Sequence, residues 1–308
     1  MAVGASRFAQ QPDQTWQGEN GGPSSTGLRS WLLEGIGYSN VTRNLSGDFI
    51  IECHDDSWSK ANASDLIANR EAAKESLHPR QNPAYGNKSL AWPIITAYYA
   101  AYFSAQSFLR CLGLGSIYIE NGEANNLNTA WLARHFSAGL QASNYGFEIQ
   151  LTTPIKIVLR TWGSSGGAHK QFWEGFRRSQ NAIGQVLLIS DGLNTLSAYQ
   201  RQTAHNEYKR LIDQAFGNSS SITKTLDFQW LSSIRNKINY RFSDNVWLMN
   251  WQHTTGLIPN QELLIERYKA STRSLPDAQR NYSKRHLAFV ATRFCQIVED
   301  ATTSLSPP

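Results

Sequence analysis

The segment Ser232-Ser-Ile-Arg-Asn-Lys-Ile-Asn-Tyr-Arg241 holds two arginines, a lysine, two asparagines and a tyrosine within ten residues. Leu231, Ile234 and Ile238 recur at i, i+3 and i+7, the spacing of one apolar helix face. Arg235 and Asn239 stand four apart and share a face, and Asn236 and Tyr240 share the neighbouring one. A helix that only packed would not need so dense a set of donors beside its apolar stripe. The donors suit an anion. A guanidinium grips two phosphate oxygens at once, and an amide side chain can orient it or bond a phosphate oxygen itself. The competing reading is a basic face in water, with Arg235 a structural arginine and Tyr240 a core tyrosine.

Other residues extend or limit this reading. Lys237, Asn239 and Arg241 lie in the same segment, and Arg280, Lys284, Arg285 and Arg293 fall in a later basic stretch. Lys284 and Arg285 either lengthen a phosphate-binding strip or form a solvated face. His205 and His286 lie on expected helices and are the histidines with a pKa suited to moving a proton. Each reads more readily as a surface or satisfied side chain. His54-Asp55-Asp56 has no further ligands at useful spacing, so it reads as a loop and no metal is expected. No phosphate loop, nucleophile elbow, zinc signature or dinucleotide fingerprint is present, and no cofactor is expected.

The chain has 308 residues, 41% hydrophobic and 17% charged, with a net charge of +5. This is enough for a real core, and the mild positive excess suits an anionic partner without requiring one. Cys53, Cys111 and Cys295 are far apart and lack a CxxC neighbour. They read as reduced thiols of a cytoplasmic protein, Cys111 and Cys295 as core residues. No secretion signal and no apolar run of membrane-spanning length is apparent.

The elements that must position these groups follow from periodicity. The Gln-, Gly- and Ser-rich residues 1–27 read as a flexible arm, and 28–88 as an N-terminal extension. Within that extension the pattern predicts a helix and turn over 28–45, a strand at 47–53, and a helix over 62–76 with Ser64 as N-cap. The strongest helix is expected over 90–114, apolar on most of its circumference and ended by Gly113 and Gly115. A shorter helix is expected within 125–143. Phe147 to Leu151 and Ile155 to Arg160 alternate and read as two strands joined at Thr152-Thr-Pro. Helices are then expected at 172–178, over 184–216 with a break near Gly192, over 226–247, and over 278–305. The last carries Val290, Ala291, Phe294, Ile297 and Val298 as its stripe. The pattern predicts a mainly α chain with a small β insertion.

Two segments resemble the HEPN superfamily (higher eukaryote and prokaryote nucleotide-binding domains). The first is Tyr98-Tyr-Ala-Ala-Tyr-Phe-Ser-Ala-Gln-Ser-Phe-Leu-Arg-Cys-Leu-Gly113, with paired aromatics, small residues, then Leu and Gly. Tyr98 and Tyr99 read as packing residues within it. The second is Arg235-Asn-Lys-Ile-Asn-Tyr240. It is similar to the family's Arg-polar motif, with Tyr240 where a His usually stands. The resemblance covers about residues 89–305. It implies a HEPN-like helical bundle of four or five core helices over 89–308, with a β-hairpin insertion at about 145–180. It also implies a homodimer or a subunit of a larger complex, acting on RNA in a prokaryotic defence or toxin system. Metal-independent endoribonuclease chemistry would place Arg235, Asn236 and Tyr240 in the catalytic roles and Arg241, Lys237, Asn239, Lys284 and Arg285 on RNA. With Tyr at the His position, a second reading stands beside it: a catalytically degenerate scaffold that assembles with a partner enzyme or nucleic acid.

Overall fold

The computed structural model describes residues 27–35, 37–77, 91–132, 139–162, 167–189, 197–216, 227–241, 290–291 and 293–299. It overturns the expectation of a mainly helical bundle with a small hairpin. The chain combines helices with a five-stranded antiparallel sheet of order β1-β2-β5-β4-β3. The strands are β1 (Tyr38–Arg43), β2 (Phe49–Cys53), β3 (Leu114–Ile119), β4 (Ser143–Gln150) and β5 (Lys156–Thr161). The expected hairpin is β4 and β5, joined through Thr152-Thr-Pro. It is no insertion: β5 pairs with β2 and β4 pairs with β3, so both strands lie inside the sheet.

The sheet follows from period-2 alternation. Val41 faces Ile51, Ile51 faces Ile157, and Ile157 faces Ile149, which makes one apolar row across four strands. Phe49, Leu159 and Phe147 form the next row. All seven are buried in one cluster. Gly115 ends the second row because a Cβ there would collide with the Phe147 ring. The opposite face mixes buried Val158 and Leu114 with ion pairs. Lys156 pairs with Glu52 at 3.6 Å, and Arg160 pairs with Glu148 at 2.7 Å and Asp48 at 3.2 Å.

Two strands were missed by periodicity, for different reasons. In β1 the register shifts between Tyr38 and Asn40, which breaks the alternation. β3 starts one residue after Gly113, whose φ of 67° is the left-handed turn that ends a helix. The helix was therefore read one turn too far, and Gly115 belongs to the strand.

The helices are α1 (Leu28–Glu34), α2 (Ser57–Leu77), α3 (Ala91–Cys111), α4 (Asn121–Leu132), α5 (Ala168–Arg178), α6 (Gln180–Ile189), α7 (Ala198–Phe216) and α8 (Trp230–Arg241). Residues 290–291 and 293–299 are also helical. α2 starts seven residues before Ser64, which is buried within it rather than capping it. The start is set by Asp55, which accepts the backbone and hydroxyl hydrogens of Ser57. The helical stretch expected over 184–216 with a break near Gly192 is formed by α6 and α7, and Gly192 itself lies outside the described residues.

The chain divides into two compact units. The first comprises 1–68, 106–195 and 300–308, and the second 69–105 and 196–299. The sheet lies wholly in the first. In the second, every described element is helical.

Charged ties complete the first unit. Arg110 on α3 is 5% exposed. It pairs with Asp65 of α2 at 3.0 Å and donates to the side-chain oxygen of Asn62 and to the backbone carbonyl of Ser116. Its guanidinium lies 5.1 Å above the Phe147 ring. On α4, Glu123 accepts the Glu120 N–H at the helix start, one half of a capping box, and also bonds Arg29 of α1 at 2.6 Å. Burial would raise the Glu123 carboxyl. The bond and charge of Arg29, with backbone N–H groups, outweigh it and hold the pKa below the usual value.

Two predictions follow from these ties. Asp65→Ala leaves Arg110 buried without its carboxylate and should cost about 3 kcal/mol in chemical denaturation. Because the folded Glu123 pKa is depressed, its contribution is complete above the unfolded value of about 4.3 and fades as pH falls through the folded one. Glu123→Gln should therefore lower stability at neutral pH, by about 1 kcal/mol, and converge on the wild type in acid. Parallel melting curves against pH would show whether the gap closes.

Candidate functional site

α8 is fixed at its start. Asp227 accepts the Gln229 N–H at 2.8 Å, and the Ser232 hydroxyl donates to the Gln229 carbonyl at 2.9 Å. The helix therefore begins at Trp230, four residues later than periodicity predicts. Trp230 sends its indole N–H to the Ala215 carbonyl at 3.0 Å, and the Asp227 N–H bonds the Phe216 carbonyl at 2.8 Å. Both acceptors lie at the end of α7. Phe216 and Phe228 stack at 4.2 Å between ring centres, and Phe216 also contacts Phe294.

From this anchor the helix presents two sides. Of the expected stripe, Leu231 is buried and Ile234 half-buried, while the side chain of Ile238 lies outside the described residues; Trp230 and Ser232 are buried as well. Ser233, Asn236 and Lys237 are exposed. Arg235 lies at the margin, half-buried. Its Nη1 donates to the Asn236 side-chain oxygen at 3.0 Å and its Nη2 to the Tyr99 hydroxyl at 3.2 Å. Asn236 thus touches the guanidinium of Arg235 directly. Asn236 and Tyr99 both belong to the second unit.

Tyr99 was read as a packing residue, and its bond to Arg235 went unforeseen. The two segments that carry the family resemblance meet in this bond. Nothing local in the sequence marks it, because the partners are 136 residues apart. Its neighbour Tyr98 does pack, fully buried in α3.

The other expected site residues divide as follows. The backbone of Asn239, Tyr240 and Arg241 is helical as part of α8, and their side chains lie outside the described residues. Arg280, Lys284, Arg285 and His286 also lie outside them. Arg293 is half-buried and bonds Gln296 on its own helical segment at 2.9 Å. His205 is 8% exposed on α7, and burial, then the nearby Lys209, lowers its pKa, so it is neutral at neutral pH. Among the described residues no cluster of three or more His, Cys, Asp or Glu is gathered for a metal. Asp55 is engaged by Ser57 at the start of α2, which accounts for it structurally.

The thiols are placed against nucleophilic chemistry. All three cysteines are free and buried. Burial raises Cys53 to about 12 and Cys295 to about 11, so neither is a thiolate at neutral pH. No helix among the described residues is long and apolar enough to cross a membrane. Comparison with protein-family models, with curated proteins and with solved structures finds no match to this chain.

The anchoring of α8 is testable. Trp230→Phe keeps the ring contacts but removes the donor to Ala215, and should cost about 1–2 kcal/mol. Urea denaturation followed by helical circular dichroism would reveal the loss, and an unchanged midpoint would remove this bond from the account.

Proposed function

We propose that this protein binds RNA through its second unit, with Arg235, Asn236 and Lys237 of α8 at the contact. The observation that carries this reading is how charge divides between the units. The second holds 18 Lys and Arg against 10 Asp and Glu, a net +8, and the first holds 11 against 14, a net −3. The modest excess of the whole chain is therefore the remainder of a strongly basic unit and a mildly acidic one. A basic unit of this kind draws a polyanion, and phosphate contact dominates nucleic-acid affinity.

The resemblance to HEPN proteins favours RNA over other polyanions and a place among the cytoplasmic RNA-directed components of prokaryotic defence. Binding is the core of the reading. Metal-independent cleavage would add in-line attack by the 2′-hydroxyl, with Arg235 against the developing phosphorane charge. That step also needs a base for the 2′-hydroxyl proton, which a tyrosine with a pKa of about 10 does not supply at neutral pH, and an acid to protonate the 5′-oxygen as its bond to phosphorus breaks.

The test is direct. Full-length protein should bind labelled single-stranded RNA with an affinity that falls steeply with salt. Arg235→Ala should weaken binding about tenfold, and the salt dependence should lose about one phosphate contact. Incubating total RNA with the wild type in EDTA reports cleavage separately. Equal RNA affinity in wild type and Arg235→Ala would end the proposal.

A further inference from the structure

We infer that Tyr99 is a positioning residue for Arg235, presetting the guanidinium for a phosphate of single-stranded RNA. This inference rests on the RNA-binding reading and assigns Tyr99 a role within that same contact. The bond from Arg235 Nη2 to the Tyr99 hydroxyl is 3.2 Å long and joins α8 to α3 within one unit.

Three features make Tyr99 a fixed post rather than a passing contact. Its ring meets Tyr98 edge-on at 5.5 Å and stacks on Phe103 at 5.9 Å. Those neighbours are held in turn, since Tyr98 is fully buried and stacks on Tyr102 at 6.2 Å, while Tyr102 contacts Phe103 at 5.5 Å. Burial raises Tyr102 to about 12, so it is neutral at physiological pH. The hydroxyl of Tyr99 is thereby held at one place beside α8.

An arginine side chain has many rotamers, and an unrestrained one loses that freedom when it grips a phosphate. Here the fork is bonded at both ends, by Asn236 from the same helix and by Tyr99 from another. Asn236 alone would move with α8. Tyr99 ties the guanidinium to a separate element, so the fork is oriented before RNA arrives. Preorganisation of this kind raises affinity without adding a contact to the ligand.

The test is a double-mutant cycle on RNA affinity, with a fluorescein-labelled uridine homopolymer as probe and full-length protein. Tyr99→Phe keeps the ring and its aromatic contacts and removes the hydroxyl. In the wild-type background it should weaken binding about fivefold, the worth of one neutral hydrogen bond. In the Arg235→Ala background it should change affinity very little. Urea denaturation of all four proteins checks that each is fully folded under the binding conditions, so the cycle reads RNA affinity and not stability. Equal effects in both backgrounds would overturn the positioning role while leaving RNA binding at Arg235 intact. An Arg235→Ala variant that binds the probe like the wild type would instead remove the RNA reading, and this inference with it.

Discussion

A single guanidinium almost out of reach of water sets the architecture of the sheet-bearing unit. Arg110 stands in the last turn of α3, where the chain must turn through Gly113 into β3. Its fork reaches Asp65 and Asn62 on α2 and the backbone of Ser116 on β3, and its flat face covers the Phe147 ring of β4. One residue thus ties two helices to two strands. Burial pulls its pKa below the ordinary value and Asp65 pulls it back, which shows the opposition involved. A charge in such a place is tolerated only while its partners stay in position. Asp65 in turn accepts the Leu28 N–H at 3.2 Å, so the same carboxylate holds the first turn of α1. Arg29 follows directly and engages Glu123 of α4. Helix positions on one side of the sheet therefore descend from one buried ion pair.

The same residue type does different work in the other unit. Arg235 is only half-buried, its described acceptors are the neutral oxygens of Asn236 and Tyr99, and exposed Asn236 and Lys237 stand beside it. Arg110 is fixed by a carboxylate in the interior, where an incoming anion has no approach. Arg235 donates to Asn236 and Tyr99 from a half-buried position, at the boundary between the packed and the exposed sides of α8. The division of charge between the units gives that local arrangement its setting.

The sequence showed some of this and hid the rest, for physical reasons. Long apolar helices and strict alternation are local patterns, so α3, β4, β5 and the stripe from Val290 to Val298 could be read directly. β1 could not, because the shift beside Tyr38 breaks its period. β3 could not, because it begins where a helix-ending glycine stands. The chief error was one of context. β4 and β5 were found as strands but read as an isolated insertion, since pairing with β2 and β3 is non-local. The site behaved likewise. Arg235 and Asn236 could be singled out from dense donors on an amphipathic helix. Tyr99 could not, because an aromatic in an aromatic-rich helix looks like packing until the distant arginine is brought to it. Arg110 was passed over because an arginine near a helix end looks like an ordinary solvated cation.

The helix that carries the motif also separates binding from cleavage. In an α-helix each residue turns about 100°, so positions five apart lie about 140° round the axis from each other. Positions 235 and 240 stand in that relation on α8, which is helical through Arg241. A phosphate gripped at position 235 is therefore not on the face of position 240 of the same helix. On the proposed reading, binding asks for one oriented guanidinium, that of Arg235 on α8. Proton transfer at the same phosphate asks for a second group arriving from elsewhere, either another element or a second copy of the motif. The histidine described in this unit, His205, is neutral but 8% exposed, which suits it poorly to meeting a substrate hydroxyl. On the RNA-binding reading proposed above, charge recognition needs only this helix and its Tyr99 brace, whereas proton transfer requires an assembly that brings a further group to the face of Arg235.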